Sequence, residues 1–333
     1  MNTGGPRVAA DADRMVSFVV PVRNDAARLD RCLRSIRASE YRADLIEIVV
    51  ADNGSTDISA AVGRAHGAVV LELPGLRLGA LRNRAAAAAR GEVIAFVDAD
   101  HEIVPGWIPA AVATLADPGV AAVGAACFPP EPGTWVQRLY DRLRPHPSGA
   151  ERVDWLGSGN MAVTRAAFEA AGGFDVSLET CEDVDLCRKI RASGRAIVAD
   201  PRLGNIHYGD PGTLGRVFFG ELWRGRDNVR VSLRAPRSWR TLVSAAMPIA
   251  HLLLLLLAIG AGLTFSRTGL LVAAVAALLV AASFSLRASR MARRAAEWPA
   301  AFSVAAAYEL GRALALTGWS PYRLRRKEAS ADA

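Results

Sequence analysis

Two carboxylates, separated by a single residue, follow an apolar run in the first third of the sequence. Asp98-Ala99-Asp100 directly follows Val93–Val97. Oxygen ligands at this spacing can hold a divalent cation such as Mg²⁺ or Mn²⁺, and the cation can neutralise a diphosphate. No structural role requires two acids at a strand terminus, although Asp-x-Asp also occurs in ordinary loops. The triplet therefore predicts a metal site.

A further acid occupies an equivalent position earlier in the chain. Asp52 follows the apolar run Ile46–Ala51 and precedes the turn sequence Asn53-Gly54-Ser55. In parallel sheets, ligands bind in the crevice beyond the carboxyl ends of the strands. We therefore expect Asp52 and Asp98 to face one crevice. The alternative interpretation is that Asp52 only caps its own turn.

The elements that position these acids alternate regularly. From about Met15 onwards, β-rich apolar runs alternate with stretches of helical periodicity, which predicts an α/β domain with a mostly parallel sheet flanked by helices. The predicted strands are Val16–Val22, Ile46–Ala51, Val69–Leu73, Val93–Val97, Val120–Cys127 and Ala196–Val198. The predicted helices are Ala26–Ala38 with Asp25 as its N-cap, Leu78–Arg90, Thr164–Ala171 and Glu182–Ala192.

The C-terminal part of the sequence predicts a membrane hairpin. Thr241–Ser266 and Thr268–Leu286 carry no charge, and each is long enough to cross a hydrocarbon core of ~30 Å. The turn between the two helices is predicted around Arg267. Arginines are concentrated on both outer flanks, which the positive-inside rule places in the cytoplasm. They are Arg224, Arg226, Arg230, Arg234, Arg237, Arg240, Arg287, Arg290, Arg293 and Arg294.

A third apolar stretch, Trp298–Trp319, contains Glu309 and Arg312 and precedes a basic tail at 323–327. If this stretch crossed the membrane, the tail would lie outside, so an interfacial helix is predicted instead. The predicted organisation is a disordered N-terminus (1–14), a catalytic domain (15–235), two transmembrane helices (241–286) and a basic, interfacial C-terminal segment (287–333).

The composition narrows the function classes. The chain has 40 Lys and Arg against 33 Asp and Glu, a net charge of +7. It contains no GxxxxGK[ST], and no GxGxxG opens a helix after the first strand, so the motifs of kinases and dinucleotide oxidoreductases are missing.

The four cysteines form no CxxC pair and are expected to be reduced thiols of a cytosolic domain. The first fourteen residues lack the apolar region of a signal peptide. We expect no nucleic-acid partner.

Seven short segments follow one another along residues 15–230. They are Val16–Asn24, Asp52–Asp57, Leu81–Asn83, Gly91–Asp100, Gly157–Met161, Gly173–Asp175 and Glu182–Leu186. In order and spacing they closely resemble the GT-A-fold family 2 glycosyltransferases, and the combination is far more specific than any one segment. The resemblance implies a GT-A nucleotide-diphospho-sugar transferase fold, followed here by the C-terminal transmembrane hairpin.

The resemblance also implies roles for individual residues. Asp183 would be the catalytic base, which removes the proton of an acceptor hydroxyl as the new bond forms. Nucleotide-sugar binding is implied for Pro21, Val22, Asn24, Asp52, Arg82 and Asp98. Metal ligation is implied for Asp98, Asp100 and His207, and a position on the acceptor side for Gly159, Asn160 and Glu182.

These roles imply an inverting hexosyltransferase with Mg²⁺ or Mn²⁺ as cofactor. It would move a sugar from a nucleoside-diphosphate sugar to a hydroxyl of a lipid-linked or membrane-proximal saccharide, in cell-envelope or exopolysaccharide synthesis. The expected location is the inner (cytoplasmic) membrane, with the catalytic domain facing the cytoplasm.

Two alternatives remain open from the sequence. One is a polyprenyl-phosphate sugar synthase, which needs little or no general base, and the other is a catalytically silent scaffold that binds nucleotide sugars. Processive synthesis is disfavoured, because Glu221–Arg226 lacks the Gln-x-x-Arg-Trp of processive synthases. Arg23 stands where many relatives have tyrosine, which leaves the nucleobase open.

Overall fold

The computed structural model describes residues 14–234 and 239–319. These residues divide into two compact units. The first runs to Glu131 and resumes over Pro145–Asp210, and the second comprises Pro132–Arg144 and the chain from Pro211 onwards. The domain boundaries expected from the sequence stay a prediction. The expectations for the first thirteen residues, for Arg237 and for the basic tail at 323–327 lie outside the described residues.

The first unit is built on a mixed sheet with the order β3-β2-β1-β4-β8-β6-β9-β7, and a separate small sheet pairs β10 with β5. Strands β1 to β4 run parallel to one another, whereas β8 runs antiparallel to both β4 and β6. The strands are β1 Val16–Val22, β2 Ile46–Asp52, β3 Val69–Glu72, β4 Val93–Val97, β5 His101–Ile103, β6 Val120–Gly124, β7 Glu151–Arg152, β8 Asn160–Thr164, β9 Ala196–Ala199 and β10 Asn205–His207.

Apolar layers cover both faces of the large sheet, because its central strands are buried on both sides. One layer joins the sheet to Leu33 and Trp107, and the other joins it to Phe174 and Ile190. The helices of this unit are α1 Ala26–Arg37, α2 Ser59–Ala65, α3 Leu78–Ala88, α4 Trp107–Leu115, α6 Arg165–Ala170 and α7 Glu182–Ala192; α5 Trp135–Asp141 belongs to the second unit. The predicted α/β architecture with a mostly parallel sheet is confirmed.

The strand register brings several loops to one edge of the sheet. Val22 and Asp52, the last residues of β1 and β2, lie opposite each other, and β4 ends directly before Asp98. Asn24 joins the loops after β1 and β2: its backbone N–H donates to Ser55 Oγ (2.9 Å), and its side-chain oxygen accepts from the Thr56 N–H (2.7 Å). Asn24 adopts the left-handed conformation (φ 52°), which asparagine tolerates better than most residues.

The second unit is helical: α5, α8 Leu214–Arg224, α9 Asn228–Arg234, α10 Trp239–Gly262, α11 Arg267–Met291 and α12 Trp298–Ala315. Among the described residues, two segments are long and apolar enough to cross a membrane, Ala245–Gly262 in α10 and Arg267–Met291, and only 11% and 17% of their most apolar stretches are buried. They pack together as a hairpin whose turn ends at Ser266, which caps α11 by accepting from the Gly269 N–H at 3.0 Å.

The charges of α12 are paired inside the second unit. Glu309 is buried and contacts Arg287 of α11 and His251 of α10, and His251 Nε2 lies 2.6 Å from Ser283 Oγ. Arg312 contacts the buried Glu221 of α8 at 2.9 Å. His251 is therefore a helix contact. The interfacial position predicted for 298–319 stays a prediction, and the helix there ends at Ala315.

Candidate active site

A carboxylate and two imidazoles meet where β5 pairs with β10. His101 lies opposite His207 in the antiparallel register, and Asp100 immediately precedes β5. His207 Nε2 is 3.3 Å from Asp100 Oδ2, and His101 Nε2 is 3.7 Å from Asp100 Oδ1. One potential ligand atom from each of the three residues lies within 4.8 Å of the others. The structure thus joins two predicted ligands, Asp100 and His207, and adds His101.

Neighbouring polar groups hold both imidazole rings in place. Asp210 Oδ1 lies 2.7 Å from His207 Nδ1, and the Asn205 amide lies 2.7 Å from His101 Nδ1. In both rings Nδ1 therefore contacts a neighbouring polar side chain, and Nε2 faces Asp100. Such outer contacts are how proteins orient metal-binding histidines.

The two histidines differ in charge. Burial and the neighbouring His207 lower the pKa of His101 to about 4, so this imidazole is neutral near pH 7. Burial alone would lower the pKa of His207, but hydrogen bonds with Asp100 and Asp210 raise it to about 9. Burial opposes ionisation of Asp100, yet contact with His207 holds the pKa of Asp100 at about 2. Without a cation, His207 therefore carries a proton between two carboxylates.

The donor set fits a divalent cation. One carboxylate oxygen and two imidazole nitrogens are ligand types that divalent cations accept in proteins. A cation here would replace the proton of His207 as the positive partner of Asp100.

This exchange makes metal affinity depend on pH. We expect the dissociation constant for Mn²⁺ to fall about tenfold per unit of pH between about pH 6 and pH 8, because His207 must lose one proton to bind the metal. Electron paramagnetic resonance of free Mn²⁺ measures this directly. A dissociation constant that does not change over this range would show that His207 is not a ligand.

Gly209 packs directly against the cluster. A Cβ atom there would lie 2.0 Å from Asp100 Oδ2 and 2.7 Å from His207 Nε2, so only glycine fits. We expect Gly209→Ala to weaken Mn²⁺ binding about ten- to hundredfold, because the ligands must move. Gly204→Ala is the matched control, since its added Cβ meets neighbours no nearer than 3.5 Å. Equal Mn²⁺ affinities of the two variants in calorimetry would refute this reading of the cluster.

Asp98 belongs to a second group of charges centred on Arg82 of α3. The guanidinium of Arg82 is almost fully buried, with Nη2 donating to Asp98 Oδ1 (2.6 Å) and Nη1 donating to Glu182 Oε1 (2.7 Å). Arg82 therefore ties the end of β4 to the first turn of α7. This contact positions Asp98 and Glu182, while the donor-binding role of Arg82 stays a prediction.

Asp183 lies one residue further along α7. Its carboxylate accepts the Val184 N–H at 2.8 Å and the Ser158 N–H at 3.3 Å. Burial and the adjacent Glu182 raise the pKa of Asp183 to about 6. A carboxylate with a raised pKa is a stronger base than an ordinary aspartate and is still ionised near pH 7.

The segment Gly157–Gly159 connects Asp183 with the metal-side acids. Ser158 contacts Asp183, while the Gly159 carbonyl accepts the Asp98 N–H at 3.3 Å. A Cβ atom on Gly159 would lie 2.8 Å from Asp98 Oδ2 and 2.9 Å from His101 Cε1. Asp98, Asp183 and His101 thus all lie beside this one short segment, and His101 in turn lies next to Asp100.

Four of the predicted nucleotide-binding residues lie at the ends of β1 and β2. Pro21 and Val22 are buried in β1, and Asn24 joins the two loops as described above. Asp52 is buried, and its Oδ1 accepts the Ser55 N–H at 2.8 Å. Asp52 therefore caps its own turn, as the alternative interpretation expects. A contact between Asp52 and a nucleotide remains a prediction.

Asn160 is the predicted site residue whose side chain turns into the protein. Its amide nitrogen donates to the carbonyls of Ala125 (3.1 Å) and Leu203 (2.8 Å), and its oxygen accepts from Trp107 Nε1 (2.8 Å). Both amide N–H groups are used, so the side chain anchors β8 to its neighbours and does not offer donors to an acceptor. The reason is burial: a polar side chain in the core must find internal partners.

Sequence reasoning missed His101, Asn205, Gly209 and Asp210. Of these four, only His101 could have been suspected from the sequence, because it directly follows Asp98-Ala99-Asp100. The others depend on the pairing of β5 with β10.

Comparison with known proteins agrees with this fold. Residues 17–169 match the family model "Glycosyl transferase family 2". The pre-mycofactocin glycosyltransferase of Mycobacterium tuberculosis is 28% identical over 56% of this chain and 41% of its own length. The validoxylamine A glucosyltransferase of Streptomyces hygroscopicus subsp. jinggangensis is 27% identical over 54% of this chain and 52% of its own length. The chain thus spans about half the length of these relatives.

Among solved structures, the mannosyltransferase PcManGT from Pyrobaculum calidifontis, in complex with GDP-Man and Mn²⁺, superposes with a TM-score of 0.62. Its sequence is 19% identical, and the match covers 94% of this chain and 90% of that one. The fold is that of the GT-A glycosyltransferases, as the sequence predicts. The match over residues 17–169 supports the resemblance to the family 2 glycosyltransferases that the sequence motifs indicate.

Proposed function

We propose that the protein is an inverting, metal-dependent transferase that moves a sugar from a nucleoside-diphosphate sugar to an acceptor hydroxyl. The observation that carries the proposal is the placement of Asp183 on one side of Gly157–Gly159 and of Asp98 with the Asp100 cluster on the other. A proton acceptor and a cation site therefore share one region, as such a reaction requires.

Asp183 and the Asp100 cluster would have different roles in the reaction. When bound by Asp100, His101 and His207, a divalent cation would neutralise the diphosphate that leaves. Asp183 would take the proton of the acceptor hydroxyl, which is a poor nucleophile while it keeps that proton. Arg82 holds Asp98 and the first turn of α7 together, so that base and donor keep their relative position.

A binding screen tests which nucleotide sugar is the donor. Thermal unfolding of the purified protein is measured with UDP-, GDP- and dTDP-sugars, each with and without Mn²⁺. We expect one nucleotide series to raise the midpoint only when Mn²⁺ is present, because a ligand that binds the folded state stabilises it by mass action. The GDP-Man and Mn²⁺ bound to PcManGT support this choice of ligands. If none of the donors stabilises the protein, the proposal fails.

The acceptor is proposed to be a lipid-linked or membrane-proximal saccharide, with the domain on the cytoplasmic face of the inner membrane. The support is the hairpin of α10 and α11, whose apolar side chains are largely exposed, including Leu253 (60%) and Leu278 (68%). Water would disfavour such a surface, and a bilayer would cover it. Removal of the protein from isolated membranes by alkaline carbonate would contradict this location.

Two competing functions receive less support. A polyprenyl-phosphate acceptor is already ionised and needs no base, whereas the raised pKa of Asp183 suits a hydroxyl acceptor. A silent scaffold would not need the orienting contacts of Asp210 and Asn205 behind the two histidines. Mn²⁺-dependent hydrolysis of the donor by the purified protein would exclude the scaffold.

A further inference from the structure

The segment that leaves the hairpin carries concentrated positive charge. Arg290, in the last turn of α11, and Arg293 and Arg294, just after it, are all exposed. None of the three side chains forms an ion pair or a hydrogen bond with another residue in the described part of the chain. Their charge is therefore directed to solvent or to a partner outside the chain.

The one acid of this segment does not offset that charge. Glu297 accepts from Arg142 Nη1 at 2.6 Å and from the backbone N–H of Arg293 at 2.9 Å. Its carboxylate is already matched by Arg142 of the same unit. The segment from Arg290 to Glu297 therefore keeps an outward excess of three positive charges.

An aromatic side chain accompanies the arginines. Trp298 is 38% exposed, and its ring stacks on Phe302 with centroids 5.3 Å apart. Exposed tryptophan next to the end of an apolar helix is typical of the boundary between hydrocarbon and head groups. Leu286, one turn before Arg290, is 59% exposed and marks the apolar side of that boundary.

We propose that Arg290, Arg293, Arg294 and Trp298, here called the arginine collar, bind the head groups of anionic phospholipids around the base of the hairpin. The proposal rests on the membrane location proposed above. Arginine and phosphate are complementary in charge and geometry, and cations beside a membrane-spanning helix favour anionic lipids. The tryptophan fixes the depth at which the three guanidinium groups meet the phosphates.

The test uses the full chain reconstituted in phosphatidylcholine vesicles with spin-labelled lipids. Electron paramagnetic resonance measures how strongly phosphatidylglycerol is preferred over phosphatidylcholine at the protein surface. We expect a preference of about fivefold, which falls close to unity in the triple variant R290Q/R293Q/R294Q and at high salt. The matched control R64Q/R84Q/R195Q removes the same charge from exposed positions of the first unit and should keep the preference.

The outcomes separate this proposal from the function it rests on. A wild-type protein that resists carbonate extraction but shows no preference for phosphatidylglycerol would overturn the collar and leave the membrane location standing. Extraction by carbonate would overturn both. A triple variant that keeps its preference, or that instead loses co-purified RNA, would also overturn the collar as a lipid site.

Discussion

Asp183→Asn is expected to lower the rate of sugar transfer about 10³-fold and to leave Mn²⁺-dependent donor binding within about twofold. Asparagine keeps the shape of the side chain, and its oxygen can keep the 2.8 Å bond from the Val184 N–H, but its NH₂ group cannot accept the Ser158 N–H and the side chain cannot take up a proton at neutral pH. The interaction lost is therefore one made in the transition state. Initial rates with the donor found by the thermal screen, together with calorimetric donor binding, measure the two quantities.

The same carboxylate sets the pH dependence of the wild-type enzyme. The pKa of Asp183 is raised to about 6, so the base is ionised above that pH and protonated below it. The transfer rate should fall as the pH drops through about 6, and the residual activity of Asp183→Asn should lack this step.

Asp154→Asn serves as the control, because Asp154 is an exposed acid of the same unit that pairs only with Arg191 at 2.8 Å among the contacts described. Its rate should match the wild type. If Asp183→Asn also kept a near-normal rate, the acceptor would not need deprotonation, and the polyprenyl-phosphate function would replace the proposed one.

The second large effect is expected for Asp100→Asn. The change removes the carboxylate that faces both imidazoles, and Mn²⁺ affinity should fall at least about hundredfold. Transfer should fall about 10³-fold, because the charge of the leaving diphosphate is no longer neutralised. Mn²⁺ titration followed by paramagnetic resonance, and rates at saturating donor, test the two parts separately.

Glu102→Gln is the matched control for this variant. Glu102 lies two residues further along, in β5, but its carboxylate accepts the Tyr208 hydroxyl at 2.7 Å rather than facing the imidazoles. It should bind Mn²⁺ as the wild type does. Unchanged Mn²⁺ affinity in Asp100→Asn would remove the metal site from this cluster.

The parallel part of the fold can be predicted because its signals are local. β1, β2 and β4 are buried on both faces, so each is a mostly apolar run, interrupted only by Ser17 in β1 and Glu47 in β2, with an acid or a turn at its end. β8 is different: its antiparallel place between β4 and β6 depends on strands that are distant in the chain. The sequence pattern of Asn160–Thr164 does not disclose that position.

The same distinction applies to the site. The acids at 98 and 100 are visible because they follow a strand, whereas the use of His101 depends on β10, and its partner Asn205 is 104 residues away. Asn160 shows the opposite case, in which a motif residue has a structural contact that the sequence does not indicate, while its acceptor-side role stays a prediction. It lies in a motif shared with the family, yet its amide serves the core, and only the contacts with Trp107, Ala125 and Leu203 reveal this.

The contacts of Glu309 impose an order on biosynthesis. In the membrane-bound protein proposed here, both hairpin helices leave the ribosome before α12 does, so His251 enters the bilayer, and Arg287 reaches its cytoplasmic edge, before their acidic partner Glu309 is made. Polar groups without partners cost free energy there. The newly made hairpin is therefore less stable until Glu309 has been synthesised and packs against it. A nonsense mutation shortly before Glu309 should therefore yield a chain that membrane proteases clear quickly, although its transferase domain is complete.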